Sequence, residues 1–236
     1  MEEDFFIKII NADKEYRGET LLEGINLGFY KGRTVGVFGG KKSGKSALLR
    51  LICGVEKPDE GKVLLEGKKI GKNAKKRIAM LLNHDIVSKF KTVQGLIEFY
   101  EAFYGDFERQ KAVNLMQQMG IDPNNKIEKI KGVNQLIGLS LLGGRKADLY
   151  VLDEPLDYFD RNERGDYLKT VIKSLEGNPL VVISAEYLRG IDGLIDDVVL
   201  LHEGKVKLVK TCEEIRNATG KGVEDFYKEV FGNGSL

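Results

Sequence analysis

Little in this chain points to a charged partner, a disulfide scaffold or a membrane span. Its 37 lysines and arginines are matched by 36 acids, so the formal net charge is +1 and global electrostatics give no case for nucleic acid or an anionic membrane. The only two cysteines, Cys53 and Cys212, are too few for a disulfide framework and lack metal-ligand spacing, which makes a reducing compartment the default. No apolar run approaches the ~20 residues of a transmembrane helix, and the amino terminus opens on acids rather than a basic signal region. Any membrane role is therefore expected to come through a partner. Internal repeats and low-complexity linkers are missing too. With 42% hydrophobic residues over 236 positions, the chain can bury one large core, and residues 1–236 read as a single domain.

The most informative stretch is Gly39-Gly40-Lys41-Lys42-Ser43-Gly44-Lys45-Ser46, which fits the phosphate-binding loop pattern of Gly, four residues and Gly-Lys-Ser. The pattern alone also fits a glycine-rich turn with solvated lysines. Its flanks favour nucleotide binding: a strand-like Thr34-Val35-Gly36-Val37-Phe38 precedes it and a helix-like Ala47-Leu48-Leu49-Arg50-Leu51-Ile52 follows. Backbone N–H groups of such a loop face a polyphosphate at a helix's positive end, Lys45 reaches the β and γ phosphates, and Ser46 can ligate magnesium. A second element, Leu149-Tyr150-Val151-Leu152-Asp153-Glu154-Pro155, is an apolar run of buried-strand type ending in two carboxylates and a proline. At the carboxyl edge of a parallel sheet, Asp153 is expected to hold magnesium through water, and Glu154 to polarise an attacking water. Asp153 lies 108 positions after Lys45, which leaves room for an inserted subdomain.

A coarse pass gives three blocks. Residues 4 to about 34 and 60 to 70 read as hairpin material with a turn at Arg17-Gly18. From Lys91 to Leu142 the pattern is helical, with Thr92 and Asp106 as expected N-caps and Gly105 and Gly120 as expected stops. Strands and helices then alternate: Leu149 to Leu152, a helix over Arg161 to Leu175, a strand Leu180 to Ser184, and a hairpin from Asp197 to Val209. Such alternation implies a parallel sheet with helices on its faces.

With these motifs in order, the chain resembles the nucleotide-binding subunit of an ABC transporter over nearly its whole length. The resemblance is carried by the two phosphate-chemistry motifs, by Gly32 to Phe38, by Leu51-Ile52-Cys53-Gly54 with Pro58-Asp59-Glu60-Gly61, and by Asp157-Tyr158-Phe159-Asp160. The C-terminal Asp197 to Lys205 and Val223-Glu224-Asp225-Phe226-Tyr227 are similar to the short bacterial subfamily that exports drugs, peptides and bacteriocins. The resemblance implies an α/β fold of the P-loop NTPase, ABC ATPase type: a mainly parallel sheet core, an antiparallel β subdomain, and a helical subdomain inserted at about 85–142. The C-terminal hairpin and helices are expected at about 197–236. It further implies ATP and Mg2+ as cofactors, with Tyr16 stacking on adenine, Gly39 to Ala47 binding phosphate, Lys45 and Glu154 catalytic, and Ser46, Asp153 and Asn83 at the metal. A tyrosine packing on the sheet at a strand end is an equally simple reading of Tyr16. The implied partners are an integral-membrane permease and a second nucleotide-binding subunit, as homodimer or heterodimer, with no nucleic acid. The implied place is cytoplasmic, peripheral on the inner membrane face. Phe90, Phe99, Tyr100, Phe103 and Tyr104 crowd the segment that receives the permease in the family, although most of them also suit the subdomain's own core.

Three positions depart from the family. Its Leu-Ser-Gly-Gly-Gln-like signature aligns on Lys129-Ile130-Lys131-Gly132-Val133-Asn134-Gln135, where only Gly132 and Gln135 survive and Ile130 offers no hydroxyl. Gly143 and Gly144 lie too close to the Tyr150 strand to serve instead and read as a helix stop. Asn83, in Leu81-Leu82-Asn83-His84, stands where a longer Gln or Glu is usual. The switch histidine becomes Glu186 in Ser184-Ala185-Glu186. An ionised carboxylate cannot donate to the γ-phosphate, and at ~4 Å and an effective dielectric of 20 it opposes each phosphate charge by roughly 4 kcal/mol. Glu186 must turn away, take up a proton or pair with a cation. Of the two histidines, His202 reads as a surface hairpin residue and His84 as a remote substitute for the missing donor. The leading expectation is a transport ATPase of low or controlled activity; the alternative is a nucleotide-gated subunit with little hydrolysis. A role on nucleic acid or in cofactor assembly is disfavoured by the single domain and the absence of a basic patch.

Overall fold

The computed structural model describes residues 4–82, 86–127, 131–186, 190–191, 193–223, 225–226 and 229, with Lys131 and Arg161 described by backbone alone. Asn83, His84, Lys129 and Ile130, together with the Lys131 side chain, lie outside the described residues.

The chain opens on an antiparallel hairpin, β1 (Ile7–Tyr16) and β2 (Glu19–Phe29), whose two-residue turn has both Arg17 (φ 52°) and Gly18 (φ 81°) left-handed. That turn type matches the twist of its strands, so the Arg17-Gly18 expectation holds for a physical reason. Then come β3 (Thr34–Phe38), α1 (Lys45–Ile52), β4 (Glu60–Leu65), β5 (Lys68–Lys69), a short α2 (Lys72–Lys76) and β6 (Ile78–Leu81). A 3-10 turn at Val87–Lys89 leads to the helical insert of α3 (Val93–Phe103), α4 (Arg109–Gln118) and α5 (Lys131–Gly143). The chain returns through β7 (Leu149–Asp153), α6 (Arg161–Ser174), β8 (Leu180–Ala185), β9 (Asp197–His202), β10 (Lys205–Thr211) and α7 (Cys212–Thr219).

The strands form a four-stranded antiparallel sheet, β2-β1-β4-β5, and a six-stranded sheet, β10-β9-β3-β8-β7-β6, in which only the β9–β10 pairing is antiparallel. Alternation along the central strands divides the core in two. Tyr150, Leu152, Val181 and Ile183 pack toward the helical insert, whereas Leu149, Val151, Leu180 and Val182 pack toward α1 and the antiparallel sheet. Both faces are covered, which is why these strands read as continuous apolar runs.

The helical block needs one correction. Thr92 does cap α3, accepting from the Gly95 N–H at 3.1 Å, and Gly120 (φ 74°) does close α4 in the left-handed region. Asp106, however, is no N-cap: α4 starts after Glu108, and the Asp106 carboxylate takes both hydrogen bonds from the buried Arg145 Nε, at 2.7 and 2.9 Å. Partnering a buried guanidinium outweighs a cap worth about 1 kcal/mol. α3 ends where Gly105 leads one to expect, with the extended Tyr104 as its cap and Gly105 the next residue. Gly143 ends α5, as its position before the Tyr150 strand requires.

Candidate functional site

Three parallel strands deliver the site to one edge. In register, Val37 of β3 pairs with Ser184 of β8, and Ser184 with Asp153 of β7. Strand β8 thus stands between the strand that feeds the glycine-rich loop and the strand that ends in the two carboxylates. The crevice beyond the carboxyl ends of such strands is where open α/β sheets bind ligands.

The loop's geometry suits an anion. Gly44 (φ 101°) supplies the turn into α1; a Cβ there would lie 2.6 Å from the Leu21 carbonyl oxygen, so only glycine fits. A Cβ on Gly39 would lie 2.3 Å from the Leu201 oxygen and 2.5 Å from Ser43 Oγ. Gly204, in the β9–β10 turn, donates its N–H to the Ser43 carbonyl at 3.1 Å and accepts from Glu23 N–H at 2.9 Å, tying the loop to β2. The first turn of α1 holds no acid of its own to offset its positive end, and Ser43 Oγ is buried without a hydrogen-bond partner among the described residues. Lys41 and Lys42 turn their side chains to solvent. Gly40 accepts from Ser43 N–H at 3.3 Å, and Ala47 is buried under the loop.

Lys45 is only 5% exposed, and its Nζ donates to the carbonyls of Gly39 (2.7 Å) and Gly40 (3.0 Å) and pairs with Glu154 Oε1 at 3.3 Å. Ser46 Oγ donates to Asp153 Oδ1 at 3.2 Å. Ser184 Oγ donates to the same oxygen at 2.7 Å and accepts the Glu154 N–H at 2.9 Å. Glu154 itself is left-handed (φ 47°), a strained state for a non-glycine residue. Hard hydroxyl and carboxylate oxygens one contact apart suit an ion that keeps waters and phosphate oxygens as its other ligands, as magnesium does. The residues fit the group.

The remaining sites are more scattered. Tyr16 ends β1 with 57% of its surface exposed and the Arg17 guanidinium 5.2 Å from its ring centre, so it does not pack on the sheet. Asn83 lies outside the described residues. Asp160 caps α6 in a full capping box with Glu163, and Gly132, near the start of α5, faces the Phe159 ring at 3.2 Å from where a Cβ would stand. Glu186 makes no ion pair among the described residues. Burial pushes the Asp157 carboxyl up to about 6 against the pull of Arg164, with Glu154, Glu186 and Asp153 adding to the rise, although 42% of the side chain remains exposed. Arg164 is buried, with Nε and Nη2 lacking hydrogen-bond acceptors among the described residues; burial lowers its pKa against Asp157, whose Oδ1 lies 3.3 Å away.

Sequence reading missed Arg164 and Gly204 as parts of the site, and placed Ser184 in the switch segment without its bond to Asp153, which lies 31 positions away. Of the five crowded rings, Phe99 and Phe103 are exposed (37% and 67%) and stacked at 5.5 Å, while Phe90, Tyr100 and Tyr104 are half-buried. Tyr100, Phe103 and Tyr104 line a cavity of about 170 Å³ with Met80, Lys75 and Arg145. Among the described residues no helix is long and apolar enough to cross a membrane.

The chain is similar to known proteins over most of its length. The chain is 24% identical over 219 residues to the linearmycin resistance ATP-binding protein LnrL of Bacillus subtilis (strain 168), covering 89% of this chain and 70% of that one. It is 26% identical to the phosphonates import ATP-binding protein PhnC of Alcaligenes faecalis, covering 87% and 85%. Among solved structures, cbiO1 from Clostridium perfringens, part of the ABC transporter complex cbiONQ, superposes with a TM-score of 0.76 at 20% identity over 96% of each chain, which speaks to the fold. Residues 22–157, which hold the glycine-rich loop and both carboxylates, match the ABC transporter family, and the chain belongs to that family as an ATP-binding domain.

Proposed function

We propose that this chain is the ATP-binding and ATP-hydrolysing subunit that powers a membrane exporter of peptides, drugs or similar compounds. The observation that carries the reading is the convergence of Lys45, Ser46, Asp153, Ser184 and Glu154 within hydrogen-bond or ion-pair reach at one sheet edge. Gly39 to Ala47 bind the phosphates through backbone N–H groups, Lys45 takes the β and γ oxygens, and Tyr16 offers its exposed ring to adenine. Ser46 and Asp153 hold magnesium, and the family resemblance assigns Asn83 to the same ion. When bound, that ion neutralises charge on the phosphate oxygens. Glu154 orients the attacking water.

Export is supported by the C-terminal resemblance noted above and by the likeness to a resistance protein. The partners are an integral-membrane permease, which meets the Phe99 and Phe103 face, and a second nucleotide-binding subunit. On this reading the chain works in the cytoplasm, on the inner membrane face. Phosphate release by parent and Glu154→Gln, measured with the permease present, tests the reading. Turnover should vanish in the variant while ATP stays bound, because the amide keeps the shape without the charge. Equal rates would remove Glu154 from catalysis. A second reading, a nucleotide-gated subunit with little hydrolysis, is favoured by the sequence: Glu186 aligns where the family's switch histidine is expected. Negligible turnover in the parent, with nucleotide bound, would select it.

A further inference from the structure

Strand β8 contributes one polar side chain to the site edge ahead of Glu186. Ser184 is fully buried, and its single hydroxyl is used twice. Its O–H donates to Asp153 Oδ1 at 2.7 Å, closer than the Ser46 hydroxyl on the same oxygen at 3.2 Å. Its lone pair accepts the N–H of Glu154, the residue held at φ 47°. Asp153 Oδ2 carries no hydrogen bond among the described residues.

We propose that Ser184 is a positioning residue for the metal site, selecting which oxygen of Asp153 faces the ion and pinning the backbone of Glu154 beside it. Ser46 can ligate magnesium through an oxygen lone pair while its O–H still points at Asp153 Oδ1, so both hydroxyls hold that oxygen. Ser184 is the closer of the two and the one that is not itself a metal ligand, and with Oδ1 so occupied Oδ2 stays presented to the ion's waters. Orienting a ligating carboxylate through a hydrogen bond to its other oxygen is how outer groups tune metal affinity. The same hydroxyl fixes the turn at Glu154, so one residue sets the relative placement of the ion's carboxylate and the water-orienting one.

The inference rests on the reading that the loop binds Mg-ATP. Its test separates the two. Affinity of the full-length chain for ATP is measured by calorimetry in EDTA and across a Mg2+ titration, for parent, Ser184→Ala and Ser184→Thr, with thermal melts alongside. Ser184→Ala should raise the Mg2+ concentration needed for half-maximal tightening about tenfold, the scale of one lost hydrogen bond to a charged group, and leave the EDTA affinity within about twofold. Ser184→Thr keeps the hydroxyl and should restore most of the Mg2+ response. An equal loss of affinity with and without Mg2+, or an unchanged Mg2+ response in the alanine variant, would overturn the inference. If the alanine variant does not fold, Ser184→Cys, which keeps the volume but donates weakly, carries the same comparison. A parent that binds no ATP under either condition overturns the underlying reading as well.

Discussion

Replacing Lys45 by alanine sets two opposing terms against each other, and the structure says which is larger. The ammonium is buried against the Gly39 and Gly40 carbonyls and 3.3 Å from Glu154 Oε1. At an effective dielectric of 20, that separation corresponds to about 5 kcal/mol of gross attraction, most of it offset by desolvation of the two ions. A phosphate entering the loop must therefore draw Lys45 away from Glu154. It can do so because it brings more negative charge than one carboxylate and sits at the positive end of α1. Losing the lysine removes a charge-assisted contact worth about 1.5–3 kcal/mol, so Mg-ATP affinity should fall by roughly tenfold to 150-fold. The Glu154 partner contributes in the other direction. Glu154→Gln removes the competitor for Lys45 and should tighten both ATP and ADP by a few fold, with no dependence on hydrolysis. In the double variant the gain from Glu154→Gln should disappear, because there is no ammonium left to release. Calorimetry on the four proteins, with ADP as well as ATP, measures the whole cycle. If Lys45→Ala binds ATP as tightly as the parent, the loop assignment is wrong. If the glutamine gain persists without Lys45, the ion pair does not compete with phosphate.

Three further outcomes follow from other parts of the molecule. Glu186→His removes a like charge from the phosphate edge and restores a donor; steady-state turnover should rise at least about tenfold, a transition-state donor being worth 10²–10³ elsewhere, with the departed signature limiting the gain. An unchanged rate would mean that position 186 does not face the γ-phosphate. Phe103→Asp should leave the melting temperature within about 2 °C, because the ring is 67% exposed, yet abolish co-purification with a co-expressed permease partner. Retained co-purification would remove the aromatic face from the interface. The third is a pH dependence centred on Arg77, which donates to Glu66 at 2.6 and 3.0 Å and to Asp148 at 2.6 Å. Arg77 holds the Glu66 carboxyl below its ordinary 4.5; burial pushes Asp148 up, but hydrogen bonds from Lys31 and Arg77 outweigh it and keep that carboxyl below 3.8. Carboxyls lowered in the fold stabilise it above their unfolded values and lose that share as pH falls through the lowered ones. Arg77→Gln should thus cost roughly 2–4 °C at pH 7, about 1 kcal/mol after allowing for exposure, and the gap to the parent should narrow below about pH 4. A gap that is constant in pH would make the loss one of packing.

What could be read in the sequence and what could not divide along a physical line. The glycine-rich loop and the Asp153-Glu154 strand end were legible because each is one continuous segment whose flanks must be strand and helix for the chemistry to work, and the structure has them so. The hairpin turn at Arg17-Gly18 was legible for the same local reason. Strand β6 was not: Ile78 to Leu81 is four residues long, follows a lysine-rich helix and leaves Met80 exposed, so nothing in it announces a buried parallel strand until β7 lies beside it. Asp106 misled because a carboxylate before a helix looks like a cap, and only the fold brings Arg145 to it from 39 positions away. The same distance problem hides Ser184. A serine at the end of an apolar strand has no local signature of function; it acquires one only when the strand order β3-β8-β7 sets it between the phosphate loop and the carboxylates. Motifs name the groups that touch phosphate, whereas sheet register decides which otherwise ordinary residue holds those groups in place. Here register sets the Ser184 hydroxyl between the Asp153 carboxylate and the Glu154 backbone, and on the inference proposed above the placement of both carboxylates depends on it.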